Sequence, residues 1–137
     1  MRTFLDSSAF AKRYVEEAGS QSVDTLCAGA TELALSVVCI PEIISALNRR
    51  VREGTLSRQQ YAEAKRRLAE DVEDATIVNL TPPILSTCTA ILEDSPVCAV
   101  DALHVACAVA WEAEIFVSAD KRQISAARKA GLHTKLV

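Results

Sequence analysis

The stretch from Val100 to Asp120, VDALHVACAVAWEAEIFVSAD, narrows the possible folds more than any other in the chain. Its ten residues from Ala102 to Trp111 are apolar except for His104. Such a run is too short to cross a bilayer and reads as a buried helix. Ile115-Phe116-Val117-Ser118 follows, β-branched and aromatic, and reads as a strand. A helix from Asp101 to Trp111 carries the chain roughly 15 Å away. A strand from Ile115 to Asp120 brings it back about 16 Å. If the two lie antiparallel, as neighbouring α and β elements in a layered α/β protein do, Asp101 and Asp120 finish at the same end of the molecule.

The chain of 137 residues is long enough to bury a real core and reads as a single domain, residues 1–137, because no linker of loop composition interrupts it. A formal charge of −3 argues against a protein coated in basic surface, though not against a local basic patch. The start, MRTFLDSSAF, has no apolar segment of the signal-peptide kind, and no run is long enough for a transmembrane helix. Cys27, Cys39, Cys88, Cys98 and Cys107 are scattered, with no C-x-x-C pair. They read as small buried hydrophobes in a reducing cytosol rather than as a zinc site.

Strands and helices alternate along the rest. Arg2 to Leu5 is a short strand ending at Asp6. A helix carrying Phe10 and Tyr14 at i and i+4 runs on until Gly19 breaks it, and another fits Gln21 to Ala28. Leu33 to Val38 is the second strand. Pro41 marks the start of a helix with Glu42 in its first turn and Ile43, Ile44, Leu47 and Val51 as its apolar stripe. Arg49, Arg50 and Arg52 lie where cations complement the helix dipole, and Gly54 closes the helix. Ser57 to Gln60 forms a capping box that opens a charged helix to about Asp74, so the two make a helical hairpin across a three-residue loop. Its inner face is Tyr61, Ala64, Leu68 and Val72.

Thr76 to Leu80 is the third strand. Thr81-Pro82-Pro83 opens a helix with Ile84, Leu85, Cys88, Ile91 and Leu92 inward. A last helix from Lys121 to Ala130 and a strand from His133 to Val137 finish the chain. The alternation predicts an α/β fold, a parallel sheet with helices on both faces.

The acids now matter. Asp6 follows the first strand, Glu42 follows the second, Asp101 begins the buried helix, and Asp120 follows the fourth strand. In an open parallel sheet the crevice lies beyond the carboxyl ends of the strands. Any one of these acids could be an N-cap, and Asp120 even has Gln123 three residues on. Four at one edge would repel one another, and a divalent cation is the usual relief. Hard oxygen donors favour Mg²⁺ or Mn²⁺ over zinc. Such an ion activates water and stabilises charge on a phosphodiester oxygen. Ser118 reads either as a hydrogen-bond partner of a carboxylate or water, or as the polar end of a strand.

The stretches FLDSSAFAKRYVEEAGS, PEIISALNRRVREGTLS, DALHVACAVA and VSADKRQISAARKAGL, in this order and spacing, resemble the PIN domain family, and within it the VapC-type ribonuclease toxins of bacterial toxin–antitoxin pairs. The resemblance implies a three-layer α/β/α sandwich around a parallel sheet. It implies an acidic site of Asp6, Glu42, Asp101 and Asp120, with Ser118 at the family's Ser/Thr position. Asp6 and Asp101 are then the leading metal ligands, and Glu42 and Asp120 bind a second ion or act through water. Where some members carry a further acid or Asn after the fourth Asp, this chain has Lys121 and Arg122, which bears on that second ion.

It also implies a Mg²⁺- or Mn²⁺-dependent endoribonuclease, cytoplasmic and homodimeric, that cuts RNA and is neutralised by a small antitoxin. In such proteins a helical hairpin helps clamp the antitoxin; here Glu42 to Asp74 is expected to keep apolar residues on its outer side for it.

Other residues have two readings. His104, three after Asp101 on the same helical face, is a ligand or base, or it is bonded to a neighbouring carboxylate or backbone group. Arg49, Arg50 and Arg52, like Lys12 and Arg13, contact RNA phosphates or are solvated helix charges. Phe10 and Tyr14 stack bases or pack a core or dimer interface.

Rival functions differ in what they require. A haloacid-dehalogenase-type phosphatase would want D-x-D after the first strand, where this chain has Asp6-Ser7-Ser8. A receiver-type phosphoacceptor would want a lone Asp after a central strand, where Thr-Pro-Pro stands. A non-catalytic binding module on the same fold is the rival from a different class.

Overall fold

The computed structural model describes residues 1–137. Five parallel strands form one sheet: β1 (Arg2–Leu5), β2 (Glu32–Ser36), β3 (Thr76–Val78), β4 (Ile115–Ser118) and β5 (Thr134–Leu136), in the order β3-β2-β1-β4-β5. The helices are α1 (Ser7–Phe10), α2 (Ser20–Gly29), α3 (Cys39–Arg52), α4 (Arg58–Glu73), α5 (Pro82–Asp94), α6 (Ala99–Ala110) and α7 (Lys121–Lys129).

Strand alternation sorts the core into two layers. Phe4, Ala34 and Phe116 point to one face, where α5, α6 and α7 supply Ile84, Cys88, Val105, Ala106 and Ile124. Their neighbours Leu5, Leu35 and Val117 point to the other face, against Phe10, Val23, Ile43, Leu47 and Leu68 from α1 to α4. A side-chain period of two on three adjacent strands therefore produces both apolar layers of an α/β/α sandwich, as predicted. Phe4 stacks on Phe116 across the β1–β4 pair, with ring centroids 5.9 Å apart. Along α6, Ala102, Ala106 and Ala108 are fully buried, so the helix lies close against the sheet.

The order of strands fixes where the chemistry can sit. From β1 the chain moves outward to β2 and then β3, and then crosses to the other side of β1 to place β4 and β5. The switch point is the gap between the carboxyl ends of β1 and β4, where an open parallel sheet forms its crevice.

Several boundaries differ from expectation. The helix after β1 is only one turn, then a 3₁₀ turn over Ala11–Arg13, instead of continuing to Gly19. The Tyr14 hydroxyl donates to Asp71 Oδ2 on α4 at 2.6 Å, and the Lys12 ammonium donates to the Ala18 carbonyl at 2.6 Å, folding the chain back early. β2 stops at Ser36 and α3 starts at Cys39, ahead of Pro41. The loop between α3 and α4 spans Glu53–Ser57 rather than three residues; the capping box of Ser57 and Gln60 is present. On α5 the buried stripe is Ile84, Cys88 and Ile91, while Leu85 and Leu92 are exposed, because only one side of the helix meets α6 and the sheet. The large exposed apolar side chains are Met1, Leu80, Leu85, Leu92 and Leu136, none of them on the α3–α4 hairpin. Its Ile44, Leu56, Tyr61 and Val72 pack against the core instead, which corrects the expected apolar outer side.

Helix α6 ends without glycine. Glu112 takes φ 59° after the cap residue Trp111, the Ala113 amide donates to the Ala108 carbonyl and the Glu112 amide to the Val109 carbonyl. This is the Schellman arrangement, with glutamate where glycine is preferred. No helix is long and apolar enough to cross a membrane.

Candidate functional site

Asp6 is the first residue beyond β1 and Ser118 is the last of β4. The register pairs Leu5 with Val117, and the Asp6 amide donates to the Val117 carbonyl at 3.1 Å, so the next residues on both strands meet at the switch point. Ser118 Oγ donates to Asp6 Oδ2 at 2.6 Å and accepts from the Asp120 amide at 3.0 Å. Ser8 Oγ donates to the Asp6 carboxylate, 2.8 Å from Oδ1, and accepts from the Ala119 amide at 3.0 Å. Two serines thus lace the ends of β1 and β4 together around one carboxylate.

Asp6 is also the N-cap of α1, with Oδ1 accepting from the Ala9 amide at 2.9 Å. It is 1% exposed and has no Lys or Arg partner, only neutral donors. Burial pushes its carboxyl up, and the hydrogen bonds from Ser118, Ala9 and Ser8 offset only part of that rise.

A second cluster adjoins it. His104 Nε2 lies 2.6 Å from Glu42 Oε1, and Ser7 Oγ donates to the same oxygen at 2.6 Å. Ser7 Oγ also stands 3.2 Å from His104 Nε2. The other ring nitrogen, His104 Nδ1, is buried with no partner. A ring whose only polar neighbours crowd Nε2 suits the Nε2–H tautomer, donating to Glu42. Burial raises the half-buried Glu42 carboxyl, but the bonds from His104 and Ser7 outweigh it and hold the group below the ordinary range. Of the two readings of His104, the bond to a neighbouring carboxylate is the one the structure contains.

Asp120 caps α7, with Oδ1 accepting from the Arg122 amide at 2.8 Å. Gln123 does not complete a capping box; its side-chain amide donates to the Asp101 carbonyl at 3.2 Å and ties the start of α6 to the start of α7. Asp101 lies in the first turn of α6, one turn before His104, and is half-buried. Asp6 and Asp120 are thus joined through Ser118, and Glu42 is held by Ser7 and His104, while Asp101 is tied in only through its backbone carbonyl and its carboxylate makes no hydrogen bond. No three His, Cys, Asp or Glu side chains close on a common point.

The donor set has the chemistry of a hard-cation site. All candidate ligands are carboxylates, Asp6, Asp101 and Asp120 are in no ion pair, and Glu42 meets only His104. Asp120 Oδ2 and Glu42 Oε2 carry no hydrogen bond. Carboxylate oxygens as the only donors would suit Mg²⁺ or Mn²⁺ rather than zinc.

Ser7 and Ser8, expected only as the residues after Asp6, and Gln123, expected only as a capping partner of Asp120, are the further polar residues that the structure brings to these acids. Their signal was adjacency: two hydroxyls directly after Asp6, and an amide one turn after Asp120.

The PIN domain family matches residues 3–129. The chain belongs to the PIN domain family. Solved structures with the same fold include the toxin VapC20 of Mycobacterium tuberculosis, described as cleaving the sarcin–ricin loop, 18% identical over 90% of this chain and 94% of that one, with a TM-score of 0.70. PAE2754 of Pyrobaculum aerophilum is 18% identical over 98% of this chain and 89% of that one, with a TM-score of 0.72. A chain of VapBC2 from Rickettsia felis, bound to a promoter DNA fragment, is 12% identical over 100% and 99%, with a TM-score of 0.70. No curated protein matches the chain by sequence.

Proposed function

We propose that this PIN domain is a metal-dependent endoribonuclease, the toxin of a toxin–antitoxin pair. The observation that carries the reading is the uncompensated carboxylate Asp6, buried at the switch point and held by Ser8 and Ser118 instead of by a cation. Burying a carboxylate without a counter-charge is costly, and a fold that maintains the arrangement has a use for it.

Asp6 and Asp101 would hold a Mg²⁺ or Mn²⁺ ion, with Glu42 and Asp120 beside it. The ion, when bound, supplies electrophilic stabilisation of the phosphodiester and activates water. The chain's own residues do the positioning. Ser8 and Ser118 fix the Asp6 carboxylate by both oxygens. His104 and Ser7 fix Glu42 through Oε1 and leave Oε2 free to orient the attacking water. Asp120 Oδ2 is free for the same work, while Oδ1 is engaged at the helix cap.

The test is RNA cleavage by metal-stripped protein with and without added Mg²⁺. Cleavage that requires Mg²⁺, is stopped by EDTA and is lost in folded Asp6→Asn protein supports the reading. Full activity in Asp6→Asn protein overturns it.

The toxin assignment draws on the neighbours, among them complexes of VapBC proteins from Rickettsia felis and Salmonella typhimurium. An antitoxin that places a basic side chain against this acidic edge suits its surplus negative charge, and a homodimer is the assembly we propose. The fact that no three ligating side chains close on one point favours a second reading, a PIN-fold binding module without turnover. That reading predicts no cleavage under any metal condition.

A further inference from the structure

Two clefts open beside the carboxylates. One, of about 560 Å³, runs from Glu42 and Val100 past Ser7. The other, of about 280 Å³, continues to Lys12, Arg50 and Ala119. They share Ser8, Ala11, Ile43, Ala46 and Arg49, so together they form one groove alongside the acidic edge, touching it at Glu42 and again at Ser8 and Ala119.

The charge changes sign along it. The second cleft carries Lys12, Arg49 and Arg50 against the single acid Glu17, an excess of two positive charges. Lys12 and Arg50 are both engaged with Glu17, at 3.4 Å each. Arg49 is exposed and in no ion pair, and it lines both clefts. Arg52, on the same helix, lines neither. The floor is Ala11, Ile43 and Ala46, and no Phe, Tyr or Trp lines the groove.

We infer that this groove is a binding track for the sugar-phosphate backbone of single-stranded RNA, with Arg49 as the residue that grips a phosphate next to the acidic site. This rests on the proposed nuclease reading, which places a phosphodiester at the Glu42 end. A polyanion lying in the groove beside Glu42 meets the unpaired guanidinium of Arg49, with Lys12 and Arg50 on the same groove. Without an aromatic platform there is no stacking to read or hold bases. The grip is therefore electrostatic, tolerant of sequence and strongly dependent on salt.

The experiment measures binding of labelled oligouridylate and oligoadenylate of equal length, in EDTA, across a salt series. Wild-type, Arg49→Ala, Arg49→Lys and Lys65→Ala proteins are compared, each checked for fold by circular dichroism. Lys65 is exposed on α4 and lines neither cleft, so its removal controls for net charge. The slope of log K against log salt should shrink by about 0.7 in Arg49→Ala, the value for one phosphate contact on a single strand. It should be restored in Arg49→Lys, unchanged in Lys65→Ala, and alike for both sequences. An Arg49→Ala slope equal to that of Lys65→Ala overturns the inference, as does wild-type protein that does not bind RNA. Arg49-dependent binding of a polyglutamate peptide, without Arg49-dependent RNA binding, assigns the groove to an acidic protein segment and also overturns it. RNA binding that follows Arg49 in a protein that never cleaves would keep the groove and sink the nuclease reading alone.

Discussion

His104 Nε2 lies 2.6 Å from Glu42 Oε1, and the opposite ring nitrogen is buried without a hydrogen-bond partner. The histidine thus has one job available to it, to hold a carboxylate that burial would otherwise push toward its neutral form. His104→Leu should keep the packing of α6 and remove the donor. RNA cleavage should then fall by 10- to 100-fold, the usual cost of losing a group that orients a metal ligand. His104→Gln, which can present an amide N–H near the same point, should recover most of that loss. Cleavage rates with melting temperatures for both variants check it; equal loss in Leu and Gln variants counts against a positioning role.

The metal-free protein should be strained by its own acid. The folded-state pKa of Asp6 is raised, so the native state binds the extra proton between the ordinary Asp value and the raised one. Stability from this group is present below the unfolded value and is lost as pH rises through the folded value. Glu42 acts in the opposite sense: its pKa is lowered, so its contribution is present above the ordinary Glu value and is lost as pH falls through the depressed one. Asp6→Asn removes the first limb, and Asn also serves as an N-cap. Thermal melts in EDTA should show Asp6→Asn at least as stable as wild type at neutral pH, with the gap closing in acid. A neutral-pH loss of stability would mean that the carboxylate is structural.

The helix stop at Glu112 offers a stabilising change away from the site. A non-glycine residue at φ 59° costs roughly 1–2 kcal/mol, part of which glycine returns as unfolded-state entropy. Glu112→Gly should stabilise by about 1 kcal/mol, a rise in melting temperature of about 4 °C for a domain of this length. Calorimetry reads it directly, and Glu112→Ala should show no such gain.

Most of the fold follows from local pattern. The period-two alternation at Phe4-Leu5, Ala34-Leu35 and Phe116-Val117 requires two apolar layers, and the apolar run before Trp111 requires a buried helix. The Thr81-Pro82-Pro83 start and the Ser57 capping box were legible because caps depend on side chains a few residues apart. Where the sequence misled, the deciding contact was distant. The early end of the first helix depends on Tyr14 reaching Asp71, and the exposure of Leu85 and Leu92 depends on which neighbours α5 has. The positions of the acids along the chain predict one edge, but Ser118, which holds Asp6, and His104, which holds Glu42, lie in the other half of the chain from the acids they hold. No spacing rule pairs Ser118 with Asp6 or His104 with Glu42.

The proposed chemistry requires a divalent ion held by acids at the β1–β4 crevice. Mn²⁺ binding, followed by electron paramagnetic resonance on metal-stripped protein, tests that most directly. Wild-type protein should take up the ion, Asp6→Asn and Asp101→Asn should lose it, and Asp94→Asn, at the end of α5, should bind as wild type does. Uptake by Asp6→Asn and Asp101→Asn equal to that of wild type would contradict the account.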